Sequence, residues 1–378
     1  MNQHLRYAGS VVLSIYRLVK VRLFSSFSVL SILAAFAGTA VYADNPPAVC
    51  KKKSEPEKKH GVGLYVDQDF FIPARNEDRD YTMGFALELF WEKIPEEIDY
   101  LDRAITWLDE NATFDLQVKP ICPTMRSIVL GSVNFTPDEL AASAPLPDDR
   151  PYASLLFVSG KQVFESPNEE WVVGSELQVG LLGLGIARSA QTKMHGYTRS
   201  VTGEDTPVDP KGWSHQISDG GELTLKYRQS FGQKLPINED AFDIAWMADA
   251  SVGYQTNASL GVQLRVGLRN SKFWTLPYDP INRGNFVPSI AGDELYVWAA
   301  FRGRGVAYDA LLQGQFRDSD LTFSSGEIKR FVQEGGLGLT AAWNPVQMTL
   351  ALNYKSAELE GQAARSHYWG GAYFIFRW

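Results

Sequence analysis

Four histidines lie beyond residue 43: His60, His195, His215 and His367. An imidazole ionises near neutrality, so it is the side chain best suited to take a proton from water under ordinary conditions. His195 and His215 both fall in a run from Gln191 through Glu204 to Gln216, which is far richer in polar groups than a plain connector. If that run begins as a helix, Gln191 and His195 share one face, because positions four apart are neighbours. The pair would then suit general-base chemistry; a histidine that is merely solvated is the competing reading. His215 beside Trp213 reads as loop packing. Cys50 and Cys122 are the two thiols, neither in a C-x-x-C motif. In an oxidising compartment they are free to pair or to remain two structural thiols.

The elements that must position these groups begin with an export signal. Arg6, Arg17, Lys20 and Arg22 precede an apolar run from Phe24 to Val41 that ends in Val41-Tyr42-Ala43. This predicts a signal peptide over 1–43, cleaved after Ala43; a transmembrane helix is the rival reading, and the serines within the run and the Asp44-Asn45-Pro46-Pro47 that follows argue against it. The segment holds four cations and no acid, so its removal takes the net charge from −8 to −12. An acidic chain of this kind is a poor partner for nucleic acid. Residues 44–60 form a charged leader, solvated or touching anionic lipid headgroups.

Beyond the leader the chain alternates with a period of two. From Leu260 to Arg269, Leu260, Val262, Leu264, Val266 and Leu268 occupy one face, and Gly261, Gln263, Arg265, Gly267 and Arg269 the other. The pattern returns at 171–181, 222–228 and 348–354, and it marks strands with two unlike faces. A soluble sandwich also alternates. The last strand decides for a barrel, because it places Phe374, Phe376 and Trp378 on one face at a free aromatic terminus, as outer-membrane barrels do. An all-β transmembrane antiparallel barrel of about 12 strands is therefore expected over 61–378. The expected strands put 73–80, 137–151, 185–220, 256–257, 313–327 and 357–366 outside, and 93–124 and 271–293 in the periplasm. The 93–124 insertion reads as a short amphipathic helix, a periplasmic cap or packing element. Cys50 and Cys122 fall on the same side of the membrane.

Several short motifs carry a resemblance when taken in order: Asp67-Gln68-Asp69-Phe70-Phe71, Asp78-Arg79-Asp80-Tyr81-Thr82-Met83-Gly84, Asp149-Arg150-Pro151-Tyr152-Ala153, Gln191-x-x-x-His195, Lys211-Gly212-Trp213-Ser214-His215-Gln216, and Tyr308 to Gly314. Together they resemble the landmarks of the outer-membrane lipid A 3'-O-deacylase family, LpxR, across essentially the whole mature chain. The resemblance implies a twelve-stranded barrel with a calcium-dependent hydrolase site near the outer leaflet, between the barrel wall and the extracellular loops. It implies lipid A, within lipopolysaccharide, as substrate; a single chain working as a monomer is expected. Asp69 matches the family's acid at the end of strand one, and Thr82, Arg150, Gln191 and His195 match its other site positions. Glu204 is the nearest loop acid after the histidine, at a stretched spacing. Asp69 and Glu204 would hold calcium, Arg150 would add positive charge where an oxyanion forms, and His195 would activate water. No G-x-S-x-G motif follows residue 43, which favours water over a serine nucleophile.

The chain departs from the family pattern at Gln68 and Met83, where the family has asparagines. Altered substrate and lost activity are the alternatives those departures raise. Other readings are simpler: Asp69 and Arg150 as a lumen ion pair, Thr82 as strand filling, Gln191 as a loop-helix cap, Glu204 as a solvated acid. A transport barrel, or a non-catalytic one that binds lipopolysaccharide, is the competing function. It would show an unobstructed polar lumen, whereas the hydrolase would bring Asp69, Arg150 and His195 together near the outer rim.

Overall fold

The computed structural model describes residues 60–71, 79–92, 99–111, 122–203, 207–237, 240–283 and 292–378. The signal segment, most of the leader with Cys50, the side chain of Cys122, and Glu204 lie outside the described residues, so the expectations made for them are left as they stand.

Twelve strands close into one antiparallel barrel in sequence order. They are β1 His60–Gln68, β2 Asp80–Trp91, β3 Cys122–Thr136, β4 Ala153–Glu165, β5 Trp171–Leu182, β6 Glu222–Lys234, β7 Phe242–Gly253, β8 Gln255–Leu268, β9 Glu294–Asp309, β10 Phe331–Trp343, β11 Val346–Lys355 and β12 His367–Arg377. β1 pairs with β12 from Gly61↔Arg377 to Gln68↔Gly370, so no edge is left open. Closure matters because every backbone N–H and C=O facing hydrocarbon needs a partner within the protein.

The alternation read from the sequence is the one the barrel uses. Leu223 and Leu225 of β6, Leu260 and Val262 of β8, and Leu350 and Leu352 of β11 face outward and are exposed, while Thr224, Lys226, Gln263 and Thr349 face inward and are buried. Trp171 stacks on Phe231, which packs at a tilt against Trp246, on the outer wall near the end where β1 begins and β12 finishes. Phe376 and Trp378 stack at that same end. Such girdles mark the level of a membrane interface.

The lumen is filled. Lys161 Nζ lies 3.0 Å from Glu88 Oε1, Arg265 is bidentate to Asp243, and Arg302 bridges Glu334 and Asp249. The segment after β8, expected as a periplasmic connection, instead enters the barrel. Phe273 and Trp274 pack with the inward Phe90, Val163 and Val172. Leu276, Tyr278 and Ile281 continue among Tyr65, Tyr81, Trp298 and Trp369. Those side chains are too apolar to lie in water, and the lumen is the space that takes them. Arg265 fastens the entry through the carbonyls of Ser271 and Lys272, both at 3.2 Å.

The 93–124 insertion does contain a helix, α1 Tyr100–Asn111. It packs against β4 and β5, so the packing role, and not a cap, is the one observed.

Two outcomes follow from the filled lumen. Glu88→Ala strands a buried Lys161 and is expected to lower the unfolding free energy by about 3–5 kcal/mol, read from urea unfolding in lipid vesicles; an unchanged midpoint would contradict this pairing. In a planar bilayer the protein is expected to carry no steady single-channel current, and an open conductance would mean that residues 271–283 do not seal the barrel.

Candidate active site on the outer wall

On the lower part of β1 to β3 the outward positions are apolar and exposed: Leu64, Phe85, Leu87, Leu89 and Leu130. At the end of the barrel where β1 finishes and β12 begins, the outward positions change character. Gln68, Met83, Asn134 and Ser154 are register neighbours across β1 to β4. Three of these four are polar, and all three are buried: Gln68, Asn134 and Ser154.

A register shift between Tyr81 and Met83 adds Thr82 to this wall. Tyr81 faces inward, donating to Asp67 Oδ2 at 3.0 Å. Gly84 faces inward too, since a side chain there would meet the Tyr81 hydroxyl. The extra residue therefore turns Thr82 outward beside Met83, where its hydroxyl lies 2.5 Å from that of Thr136. A bulge that re-aims a side chain at a strand end is a recurrent device next to functional sites.

The roof over this polar wall is the β5–β6 loop with its helix α2, Ile186–Thr202. Ala187, Gln191 and His195 recur at a spacing of four and are all buried, so Gln191 and His195 do share a face. Gln191 Oε1 accepts from Trp213 Nε1 at 2.8 Å, and Trp213 packs on Tyr152 with ring centroids 4.7 Å apart. Ser154 donates to Gln216 Oε1 at 2.8 Å, pinning the far end of the loop to the wall. The Gln68 amide sits 3.7 Å from Met194 Sδ, next to His195 on α2. With its nitrogen turned to the backbone it donates to Thr82 O at 3.1 Å and Asp67 O at 3.2 Å, which leaves its oxygen facing α2.

His195 Nδ1 lies 2.7 Å from the carbonyl of Val208. A carbonyl only accepts, so Nδ1 carries the proton in this bond. Asp69 follows directly on Gln68 and is buried. Arg150 sits at the same end of the barrel in its own set of contacts. Nη1 pairs with Glu358 of the β11–β12 loop, and the guanidinium lies 4.0 Å over the inward Phe135 ring. Its Nε and Nη2 are buried without a hydrogen-bond partner among the described residues. His215 is held by Asp320 Oδ2 at 2.5 Å and is partly exposed, in keeping with loop packing.

The structure thus joins Gln68 to Thr82 and to the helix that carries Gln191 and His195, with Asp69 alongside in sequence. The roles of Asn134, Thr136, Ser154 and Trp213 were not read from the sequence. A signal for the first two was present: on β3 the outward series runs Leu130, Ser132, Asn134, Thr136, turning polar where lipid-facing strands stay apolar.

Burial alone would raise the Glu358 carboxyl, but Arg150 and Lys355 beside it outweigh burial and hold it well below the usual carboxylate range. A depressed pKa contributes stability that is complete above the ordinary value and is lost as pH falls through the depressed one. Hydrogen exchange of residues 356–366, corrected for intrinsic rate, is therefore expected to stay constant from neutrality to the ordinary carboxylate pKa and to rise only in stronger acid. Trp213→Phe removes the indole donor to Gln191 Oε1, a loss of about 0.5–1.5 kcal/mol that reduced exchange protection of α2 would report.

Comparison with known proteins agrees with this architecture. The chain matches the outer membrane protein LpxR family over residues 24–378. Among solved structures, LpxR from Salmonella typhimurium superposes with a TM-score of 0.60 at 16% identity, covering 84% of this chain and all of that one. The β domain of the Bordetella autotransporter BrkA gives a TM-score of 0.39 at 9% identity, over 85% of this chain and 99% of that one. No curated protein matches in sequence. With the family matched from residue 24 to the last residue and the barrel shared with its Salmonella counterpart, the chain belongs to the LpxR family of outer-membrane proteins.

Proposed function

We propose that the protein is a hydrolase of the outer leaflet that removes the 3'-linked acyloxyacyl chain from lipid A. The observation that carries this reading is a buried polar wall on the lipid-facing side of the barrel, roofed by a helix that carries the buried His195 with its Nδ1 held by the Val208 carbonyl. A lipid substrate reaches such a site sideways from the membrane. A transport protein has no use for it, and the filled lumen gives solute no path.

His195 Nε2 takes a proton from water as the water oxygen attacks the ester carbonyl carbon. The tetrahedral centre then collapses, the carbon–oxygen bond to the sugar breaks, and the proton on Nε2 passes to the departing sugar oxygen. A carboxylic acid, which then loses its proton to water, and a free 3'-hydroxyl result. Val208 O keeps the imidazole in the working tautomer, and Trp213 through Gln191 keeps α2 against the wall. Arg150, stacked over the inward Phe135 and paired with Glu358, stands on the lumen side of this wall and takes no part in the step.

Calcium fits the donors in kind. The Asp69 carboxylate with the amide oxygen of Gln68 and the hydroxyl of Thr82 is an all-oxygen set of the type that calcium takes. Glu204, the other acid expected for calcium, lies outside the described residues. When bound to the Asp69 set, the ion supplies positive charge for the developing oxyanion. Gln68 keeps an amide where the family has a shorter one, which supports retention of the oxygen donor; Met83 supplies no such substitute.

The test is release of fatty acid from lipid A in detergent micelles, followed by mass spectrometry with calcium or a chelator. Calcium-dependent loss of the 3' group is expected, with His195→Ala reducing the rate by about 10²–10⁴ and Asp69→Asn raising the calcium concentration required. No release by a folded barrel would leave lipopolysaccharide binding without catalysis as the surviving reading.

A further inference from the structure

A second polar row crosses the outer wall near the opposite end of the barrel, and nothing in the proposed reaction uses it. Arg126, Gln162, Ser175 and Gln229 are direct register neighbours across β3 to β6. Each faces outward, because its strand neighbour is an inward residue: Ser127 and Lys161 both bind the buried Glu88, while Glu176 and Arg228 pair with each other. Four polar side chains in one row facing hydrocarbon would be strongly unfavourable.

Helix α1 covers the row. Asp102 Oδ1 accepts from Arg126 Nε at 2.7 Å, and its carbonyl accepts from Gln162 Nε2 at 2.7 Å. Thr106 Oγ1 accepts from the same amide at 3.0 Å. At the other end Asp109 accepts from Gln229 at 3.3 Å and from the Tyr227 hydroxyl. Seven helical residues rise about 10 Å, and two strand spacings are also about 10 Å. The helix therefore lies across the strands. Its close approach requires Gly160, where a side chain would come within 2.8 Å of Leu101 Cβ.

The face of α1 turned away from the wall carries Tyr100 and Trp107, 69% and 61% exposed, with Arg103 between them. The row it covers lies one side-chain layer from the outward girdle of Trp171, Phe231 and Trp246, since Ser175↔Gln229 is followed by Val173↔Phe231. We infer that α1 is an in-plane membrane helix seated in the periplasmic leaflet, its Tyr100–Arg103–Trp107 face docked among phospholipid headgroups. Tyrosine and tryptophan favour that zone because each has an apolar body and a polar tip, and arginine favours it as a partner for phosphate. The surface is continuous with the lipid-facing band of the barrel, and the phospholipid leaflet is the occupant that band already meets at this level.

The test places a photoreactive benzophenone residue at Trp107, or at Tyr100 on the same face, in the full chain inserted in outer membranes. Controls carry it at Leu130 on the bare wall and at Gly326, where a side chain meets nothing and faces water. Folding is verified for each chain by compact migration in SDS gels before heating. After illumination, phospholipid adducts at position 107 or 100 are expected in a yield nearer to that of Leu130 than of Gly326. A yield nearer to that of Gly326 would overturn the inference, and so would adducts with lipopolysaccharide, which would put the helix in the other leaflet.

Discussion

Hydrocarbon does not tolerate an uncovered polar group, and the organisation of this barrel follows from that constraint. Strand alternation gives every second side chain to the membrane, and over most of the wall these are leucine, valine and phenylalanine. Two rows break the rule. One runs through Gln68, Asn134 and Ser154 at the outer end, the other through Arg126, Gln162, Ser175 and Gln229 at the periplasmic end. Each row is roofed by a helix from a long connection, α2 above and α1 below. A polar row and its roof stand or fall together: the helix satisfies the row, and the row fixes where the helix lies.

The outer row is where chemistry can be placed. A site on the outside of the wall is open to a lipid moving within its own leaflet, while the lumen is closed by ion pairs and by the segment from Phe273 to Ile281. Rigid strands hold Gln68 and Thr82 from one side. From the other, α2 presents Gln191 and His195 on a loop anchored by Trp213 and Gln216. This division between a stiff wall and a tethered roof suits the proposed site, which would admit a bulky lipid and hold the His195 imidazole by its Nδ1.

Much of this was legible in the chain itself. The alternation of Leu260 to Arg269, and of the three other segments like it, located strands and told inward from outward faces. Gln191 and His195 four apart foretold a shared helical face, and polar residues on the β3 outward series marked a covered wall for anyone counting. The motifs around Asp69, Thr82 and Arg150 supplied a family resemblance that the comparisons bear out at the level of the family. Other features were not legible. The segment 271–293 looked like a connection because aromatic and aliphatic residues between strands do not say which side of the wall they will seek. Arg150 was read as positive charge beside a forming oxyanion or as a lumen partner of Asp69, whereas its Nη1 partner, Glu358, comes from a loop more than two hundred positions away.

Sequence by itself determined the periodicity of the strands, their number and order, and the residue types at the outer rim. These are local properties: a period of two, a turn, an aromatic last strand and an amphipathic helix can each be read within a few residues. Tertiary structure alone decided which polar positions were covered and by what, because coverage depends on cross-strand register and on loops that return from distant parts of the chain. The register shift at Thr82, the burial of Gln68 beneath α2 and the seating of α1 across four strands all arise from pairing the strands into the barrel. Only then do residues far apart in the sequence share a face.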